Sequence, residues 1–153
     1  CAGVSVGYVA AADFVLASDT AMFVVANAAL GINPDGAMTW HLPRVVGARK
    51  ARQMCMLGER VTAQDALDIG LINWLHADDE LDQATEKLVS RLASGPTTAL
   101  GQTKHLLNAS LGNSLTTQLE LEARASGITG ASDDFVEGLS SFAEKRKPEF
   151  KGH

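Results

Sequence analysis

The sequence predicts an α/β chain that is poor in strand and rich in helix. Three observations carry this. A small-residue apolar segment, Ala2 to Ala12, reads as a short buried helix and leads at once into two β-rich runs. From Ala37 onward, apolar residues recur at helical spacing almost without a break. No Pro-, Gly- or Ser-rich linker divides the chain.

Each element has a local reason. Ala2–Ala12 is apolar all round, as in a helix covered on every side, and Gly3 and Gly7, four apart, would let another backbone approach closely. Phe14–Ala17 and Met22–Val25 read as strands separated by the turn-forming Ser18, Asp19 and Thr20. Gly31 to Gly36 reads as a loop, with Pro34 fixing φ and Asp35 and Gly36 favouring a turn. Met38–Leu42 is expected to be a short turn ended by Pro43, followed by a helix over Ala48–Leu57 that Gly58 stops. Thr62 with Asp65 resembles a capping box opening a short helix closed by Gly70, and Leu71–Leu75 reads as a strand. Asp78–Ser94 carries Leu81, Ala84, Leu88 and Leu92 on one face and ends at Gly95 and Pro96. Further helices are expected over Thr97–Ser110 and Ser114–Ser126, and from Ser132 or Asp133 to about Arg146.

Composition narrows the function. Of 153 residues, 46% are hydrophobic and 20% charged, the balance of a packed globular protein. Thirteen Lys and Arg against eighteen Asp and Glu give a net charge of −5. That sign argues against a bulk electrostatic grip on nucleic acid or on an anionic membrane. No apolar run approaches the roughly 18 residues of a membrane span. Two cysteines, Cys1 and Cys55, make no disulfide framework and no zinc motif, which fits a reduced, cytoplasmic setting. The chain opens on Cys1 rather than Met, without the basic region and cleavage site of a signal peptide; an upstream segment is expected to precede it. The few strands point the same way, because two or three cannot form a stable sheet alone. Missing N-terminal strands, neighbouring subunits, or both are expected to complete the fold.

Four blocks carry chemistry: Gly3 to Asp13; Phe23 to Gly47 (FVVANAALGINPDGAMTWHLPRVVG); Leu57 to Leu71; and Glu137 to Arg146. In this order and spacing they resemble the enoyl-CoA hydratase/isomerase, or crotonase, superfamily, over essentially the whole chain but only the C-terminal part of a typical member. The resemblance implies a crotonase-like α/β fold. Residues 1–75 would form the end of a spiral core of ββα units. Residues 76–153 would form a helical trimerisation and CoA-contacting region, the assembly being a homotrimer or homohexamer. It also implies an acyl-CoA thioester as substrate, with no further cofactor. An enolate would be stabilised at the thioester oxygen by two backbone N–H groups, one of them at the start of a buried helix. A helix N-terminus offers unpaired donors and a positive dipole end to such an oxyanion.

Counting back from Asp13, that donor falls on Val4, where Gly or Ala is usual, with Gly3 beside it. Val4 would crowd the thioester, and Gly3 and Gly7 also make sense as close-packing residues alone. The second donor belongs to an upstream loop outside this chain. Hydratases of the superfamily use two glutamates, at positions matched here by Gly7 and Asn27, and neither side chain exchanges a proton. Isomerases often place a carboxylate where Asp35 stands, and one carboxylate suffices for a 1,3-proton shift. Apolar neighbours Ala29, Leu30 and Met38 would raise its pKa toward the working range. Asp35 is equally at home as a turn former. Phe142 and Lys145 match positions that meet CoA, an aromatic against adenine and an ammonium near phosphate. Lys145, Arg146, Lys147 and Lys151 form a basic cluster that suits a diphosphate, or that completes a helix C-terminus.

Other candidates read as structural. His41 beside Trp40 suits packing or surface, Arg44 a structural block, and Asp13 a helix-end position. His76, His105 and His153 share no metal-ligand spacing, and no metal is expected. Cys1 has no partner base nearby in sequence. The leading reading is an enoyl-CoA double-bond isomerase. The alternatives are a hydratase-like enzyme, a divergent hydrolase or lyase on the same enolate theme, and a non-catalytic acyl-CoA-binding or assembly protein.

Overall fold

The computed structural model describes residues 1–153. They form two compact units, Cys1–Thr85 and Glu86–His153, where the sequence suggested a division after residue 75.

The first unit opens with helix α1 (Val4–Ala11), strand β1 (Leu16–Ser18), strand β2 (Met22–Phe23) and a 3-10 helix over Ala26–Leu30. Helices α2 (Met38–Val45) and α3 (Ala48–Leu57), strand β3 (Val61–Thr62), helix α4 (Ala63–Asp68) and strand β4 (Trp74–His76) follow. The two early strands do not pair with each other. β1 lies parallel to β4, with Leu16 opposite Trp74 and Ser18 opposite His76. β2 lies antiparallel to β3, with Phe23 opposite Val61. An isolated parallel bridge joins Ala2 to Val24. Strands this short hold because the residues between them are anchored in one apolar core: Val6, Ala10, Phe23, Val25, Met38, Leu42, Met54, Val61 and Ile72 are all buried.

Several local expectations change. α1 is not covered on every side: Val6, Gly7 and Ala10 are buried, whereas Tyr8 is 65% exposed, because within this chain α2 covers a single face. α2 runs through Pro43 to Val45 instead of stopping there. The proline removes one bond, to the carbonyl of solvent-facing Thr39, while fully buried Met38 and Leu42 hold the helix to the core. The strand expected over Leu71–Leu75 is confined to Trp74–His76. Leu71 and Ile72 instead fold back, both amides donating to Ala66 C=O, and bury their side chains. α3 matches its expected span, with Gly58 left-handed at φ 64° as its stop. At α4, Thr62 Oγ1 accepts the Asp65 amide at 3.2 Å and donates to Asp65 Oδ2 at 2.7 Å.

After a 3-10 turn at Asp78–Glu80, helix α5 (Leu81–Ala93) leads into the second unit. Its residues Leu81, Ala84, Leu88 and Leu92 are the half-buried ones of an otherwise exposed helix. Helix α6 (Thr97–Ser110) matches expectation, while α7 (Leu115–Gly130) runs one turn further than expected. Nothing between Ser126 and Gly130 is a proline or takes up left-handed backbone to stop it. Helix α8 (Asp133–Glu144) starts at the Ser132 cap, whose Oγ accepts the Phe135 amide at 3.1 Å. Buried Asp134 accepts the Lys151 and Gly152 amides at 2.6 and 2.8 Å, tying the chain beyond α8 back onto that helix.

Arg146 strengthens the same region. Its Nη1 and Nη2 donate to the two Glu137 oxygens at 2.5 and 2.7 Å, and its Nε donates to Glu144 at 2.6 Å. Those bonds, with the Glu149 amide, lower the Glu137 pKa to about 2 from an ordinary 4.5. A lowered carboxylate adds stability that is complete above pH 4.5 and disappears as pH falls through 2. Carboxyl-carbon NMR should therefore show Glu137 titrating near pH 2, and Arg146→Gln should return it toward the ordinary range.

Candidate active site

The start of α1 follows directly on the isolated bridge between Ala2 and Val24. Val24 brackets the turn: its amide donates to Cys1 C=O at 3.0 Å, and its carbonyl accepts the Gly3 amide at 2.9 Å. Ser5 Oγ accepts the Ala2 amide at 2.9 Å and donates to Ala2 C=O at 2.7 Å. Gly3 takes φ 59° and ψ −131° to make the turn, a conformation that side chains disfavour. The two candidate donors therefore differ. The Gly3 amide is held by Val24, whereas the Val4 amide opens the helix and has no carbonyl four residues back within it. Val4 is 37% exposed, so this end of the helix is accessible from outside.

Asp35 reaches the same end of α1 through its neighbour. A side-chain carbon on Gly36 would lie 2.5 Å from Val4 Cγ2, and one on Gly7 would lie 2.8 Å from the Gly36 carbonyl oxygen. Gly36 is thus wedged against the first turns of α1, and Asp35, an exposed residue, stands beside it. The chain then swings into α2 through two successive left-handed residues, Gly36 at φ 60° and Ala37 at φ 57°. The Met38 amide closes this turn onto Asp35 C=O at 3.1 Å.

This packing explains Gly7. The space that a side chain would need is filled by backbone from the Asp35 loop, so no glutamate fits there. Asn27 differs, because its side chain is present and buried, at 9% exposure. Its Nδ2 donates to Asn33 C=O at 3.1 Å, two residues before Asp35, while its Oδ1 accepts no hydrogen bond. The sequence marks Asn27 only by the carboxylate it lacks; the state of its oxygen emerges once the 3-10 helix over Ala26–Leu30 is formed.

The remaining candidates lie as follows. His41 is half-buried on α2, and Arg44 stacks its guanidinium 3.5 Å over the exposed Trp40 ring. Cys1 Sγ lies 3.2 Å from Ser5 Oγ, which is no base. No group of three His, Cys, Asp or Glu side chains is disposed to hold a metal. In the second unit, Phe142 is 86% exposed near the end of α8 and Lys145 caps that helix in left-handed conformation at φ 56°. Of the four cations around it, Arg146 is neutralised by Glu137 and Glu144, leaving Lys145, Lys147 and Lys151 as exposed ammonium groups. A cleft of about 290 Å³ lined by Ala99, Phe135, Leu139 and Phe150 also belongs to this unit; its one charged side chain, Asp134, has both oxygens bonded to backbone amides.

Comparison with known proteins identifies the family. The model of the enoyl-CoA hydratase/isomerase family matches residues 1–153, and the chain belongs to that family, with its crotonase fold. It is 41% identical over 141 residues to 1,2-epoxyphenylacetyl-CoA isomerase of Escherichia coli, covering 92% of this chain and 53% of that protein. It is 33% identical over 138 residues to crotonyl-CoA hydratase of Syntrophomonas wolfei, covering 90% and 53%. Among solved structures, enoyl-CoA hydratase from Bacillus anthracis superposes with a TM-score of 0.95 at 28% identity, over all of this chain and 59% of that one. The chain thus spans just over half the length of the relatives it matches. No helix is long and apolar enough to cross a membrane.

Two substitutions probe the packing behind the site. Gly7→Ala should lower unfolding free energy by about 1–3 kcal/mol in a denaturant titration, since the Gly36 carbonyl must move. Ala37→Gly should raise it by up to about 1 kcal/mol through relief of the left-handed strain.

Proposed function

We propose that the protein acts on acyl-CoA thioesters as a double-bond isomerase. The observation that carries this reading is the wedge of Gly36 against Val4 and Gly7. It brings the backbone of the loop that carries Asp35 against the first turns of α1, where the Val4 amide opens the helix, and it leaves no room for a second carboxylate at residue 7. The Val4 N–H would hold the thioester oxygen as it gains charge, the second donor coming from outside this chain. Asp35 would take a proton from the carbon beside the carbonyl, leaving an enolate, and return it two carbons further along. Net addition of water needs an activated water. Asn27 cannot deprotonate one, which favours isomerisation over hydration.

For the CoA moiety, the reading assigns exposed Phe142 to the adenine and Lys145 to a phosphate, the sign of charge that a diphosphate requires. The second reading, a non-catalytic acyl-CoA binder, has one observation in its favour: residue 4, where α1 opens, carries a branched valine side chain. Asp35→Asn in the intact protein separates them. Turnover of an enoyl-CoA panel should fall at least about 100-fold, the scale of one general acid–base group, while acyl-CoA binding stays near wild type. Unchanged turnover would exclude Asp35 as the base, and an inactive wild type that still binds acyl-CoA would establish the binder.

Assembly belongs to the same proposal. Leu107, Leu115, Leu119, Val136 and Leu139 on the helices of the second unit, and Leu111 at the end of α6, are each more than half exposed. Apolar surface of that kind calls for a covering partner, which we assign to further copies of the protein in a trimer or hexamer. Light scattering of the intact protein should give a mass that is a multiple of three chains; a monomer would refute the assignment.

A further inference from the structure

The residue that ends α8 is a lysine where a glycine would fit with less strain. Lys145 takes φ 56° and ψ 37°. Its amide donates to Phe142 C=O at 3.3 Å, and the Arg146 amide donates to Ser141 C=O at 3.0 Å. Where a helix ends on a left-handed residue, that residue is usually glycine, as Gly58 is at the end of α3. A side chain in this conformation is held by its surroundings, and such residues gather where the side chain is used.

What holds Lys145 is its neighbour. Arg146 lays its guanidinium across both Glu137 oxygens, at 2.5 and 2.7 Å, and sets Nε on Glu144 at 2.6 Å. Glu137 also accepts the Glu149 amide at 2.8 Å, so one carboxylate in the middle of α8 anchors the chain just beyond Lys145. The bonds that lower its pKa to about 2 keep this bracket charged at neutral pH. Arg146 is spent on it, whereas the Lys145 ammonium stays exposed. Charge and geometry make opposite demands here. Glu137 lies within electrostatic reach of Arg146 and Lys151, where its negative charge opposes an anionic ligand. A carboxylate in that place hinders binding by charge alone and helps only by fixing the backbone.

We infer that Glu137 is a positioning residue for the nucleotide part of CoA: through Arg146 it fixes the backbone that presents the Lys145 ammonium to a phosphate. The inference rests on the acyl-CoA reading above, in which Lys145 meets a phosphate, and adds the group that sets its direction. Phe142 belongs to the same locked turn, its carbonyl accepting the Lys145 amide. The ring assigned to adenine and the ammonium assigned to phosphate therefore spring from one unit. Glu137 itself touches no ligand.

The test measures calorimetric binding of butyryl-CoA and of S-butyrylpantetheine, the same thioester without the nucleotide, to the intact protein. Wild type should bind butyryl-CoA tighter. Glu137→Gln should weaken butyryl-CoA roughly tenfold, the scale of one charge-assisted hydrogen bond, and leave S-butyrylpantetheine unchanged. The direction is decisive, because by charge alone the loss of a carboxylate from a basic cluster would tighten the CoA thioester. Arg146→Lys keeps the charge and loses the fork. It should weaken butyryl-CoA in the same selective way, and it decides the matter if Glu137→Gln does not fold. Unchanged or tighter butyryl-CoA binding, or equal weakening of both thioesters, overturns the inference and leaves the acyl-CoA reading standing. Equal wild-type affinity for the two ligands overturns it together with the assignment of Lys145. A wild type that binds neither overturns the acyl-CoA reading itself.

Discussion

The contact on which the first unit depends is backbone against backbone: the carbonyl of Gly36 against the surface of α1 at Gly7. It requires glycine on both sides. Gly7 has no side chain to hold the loop away, and Gly36 has none to strike Val4 while it adopts a left-handed conformation. The rest follows from this approach. Met38, two residues past Gly36, is drawn into the core, α2 is set against α1, and the loop bearing Asp35 is delivered to the helix tip. The same contact consumes the volume in which a second acidic side chain would stand. One constraint thus has two results here: the arrangement that assembles the unit also keeps residue 7 without a side chain.

Left-handed strain is confined to two helix ends, one of them at this corner. Outside the glycines, the left-handed residues are Ala37 and Lys145, and both sit where a chain must turn at a helix end. At Ala37 the turn follows Asp35 immediately and is tied by the Met38 amide to the Asp35 carbonyl. A residue kept in such a conformation is held by its surroundings rather than by its own preference, so the backbone of the candidate base is preorganised.

Much of this was legible in the sequence, and the exceptions have common causes. α3 and α6 match their expected spans because each is bounded by a signal within the chain, Gly58 after the one and Pro96 before the other. The strands drift because their limits depend on partners far away, such as Trp74 opposite Leu16, which local composition does not encode. Pro43 misleads because burial of Met38 and Leu42 outweighs one lost bond. The candidate site divides likewise. Asp35, Val4 and Gly3 come from motif position, yet only the fold shows that Val24 occupies the Gly3 amide and leaves that of Val4 open. In the sequence Asn27 is marked only by an absence. Its oxygen has no partner, and a partner can be counted only after the chain has folded around it.

Asn27 also bonds through Nδ2 to the carbonyl of Asn33, in the loop that carries Asp35. One side chain thereby braces the loop that carries Asp35. Substitutions that remove the amide at residue 27 will loosen that brace, so their effects and those of changes at residue 35 will not simply add. A lineage that changes residue 27 alters the setting of residue 35 in the same step, and such coupling leaves few independent routes through sequence at this corner.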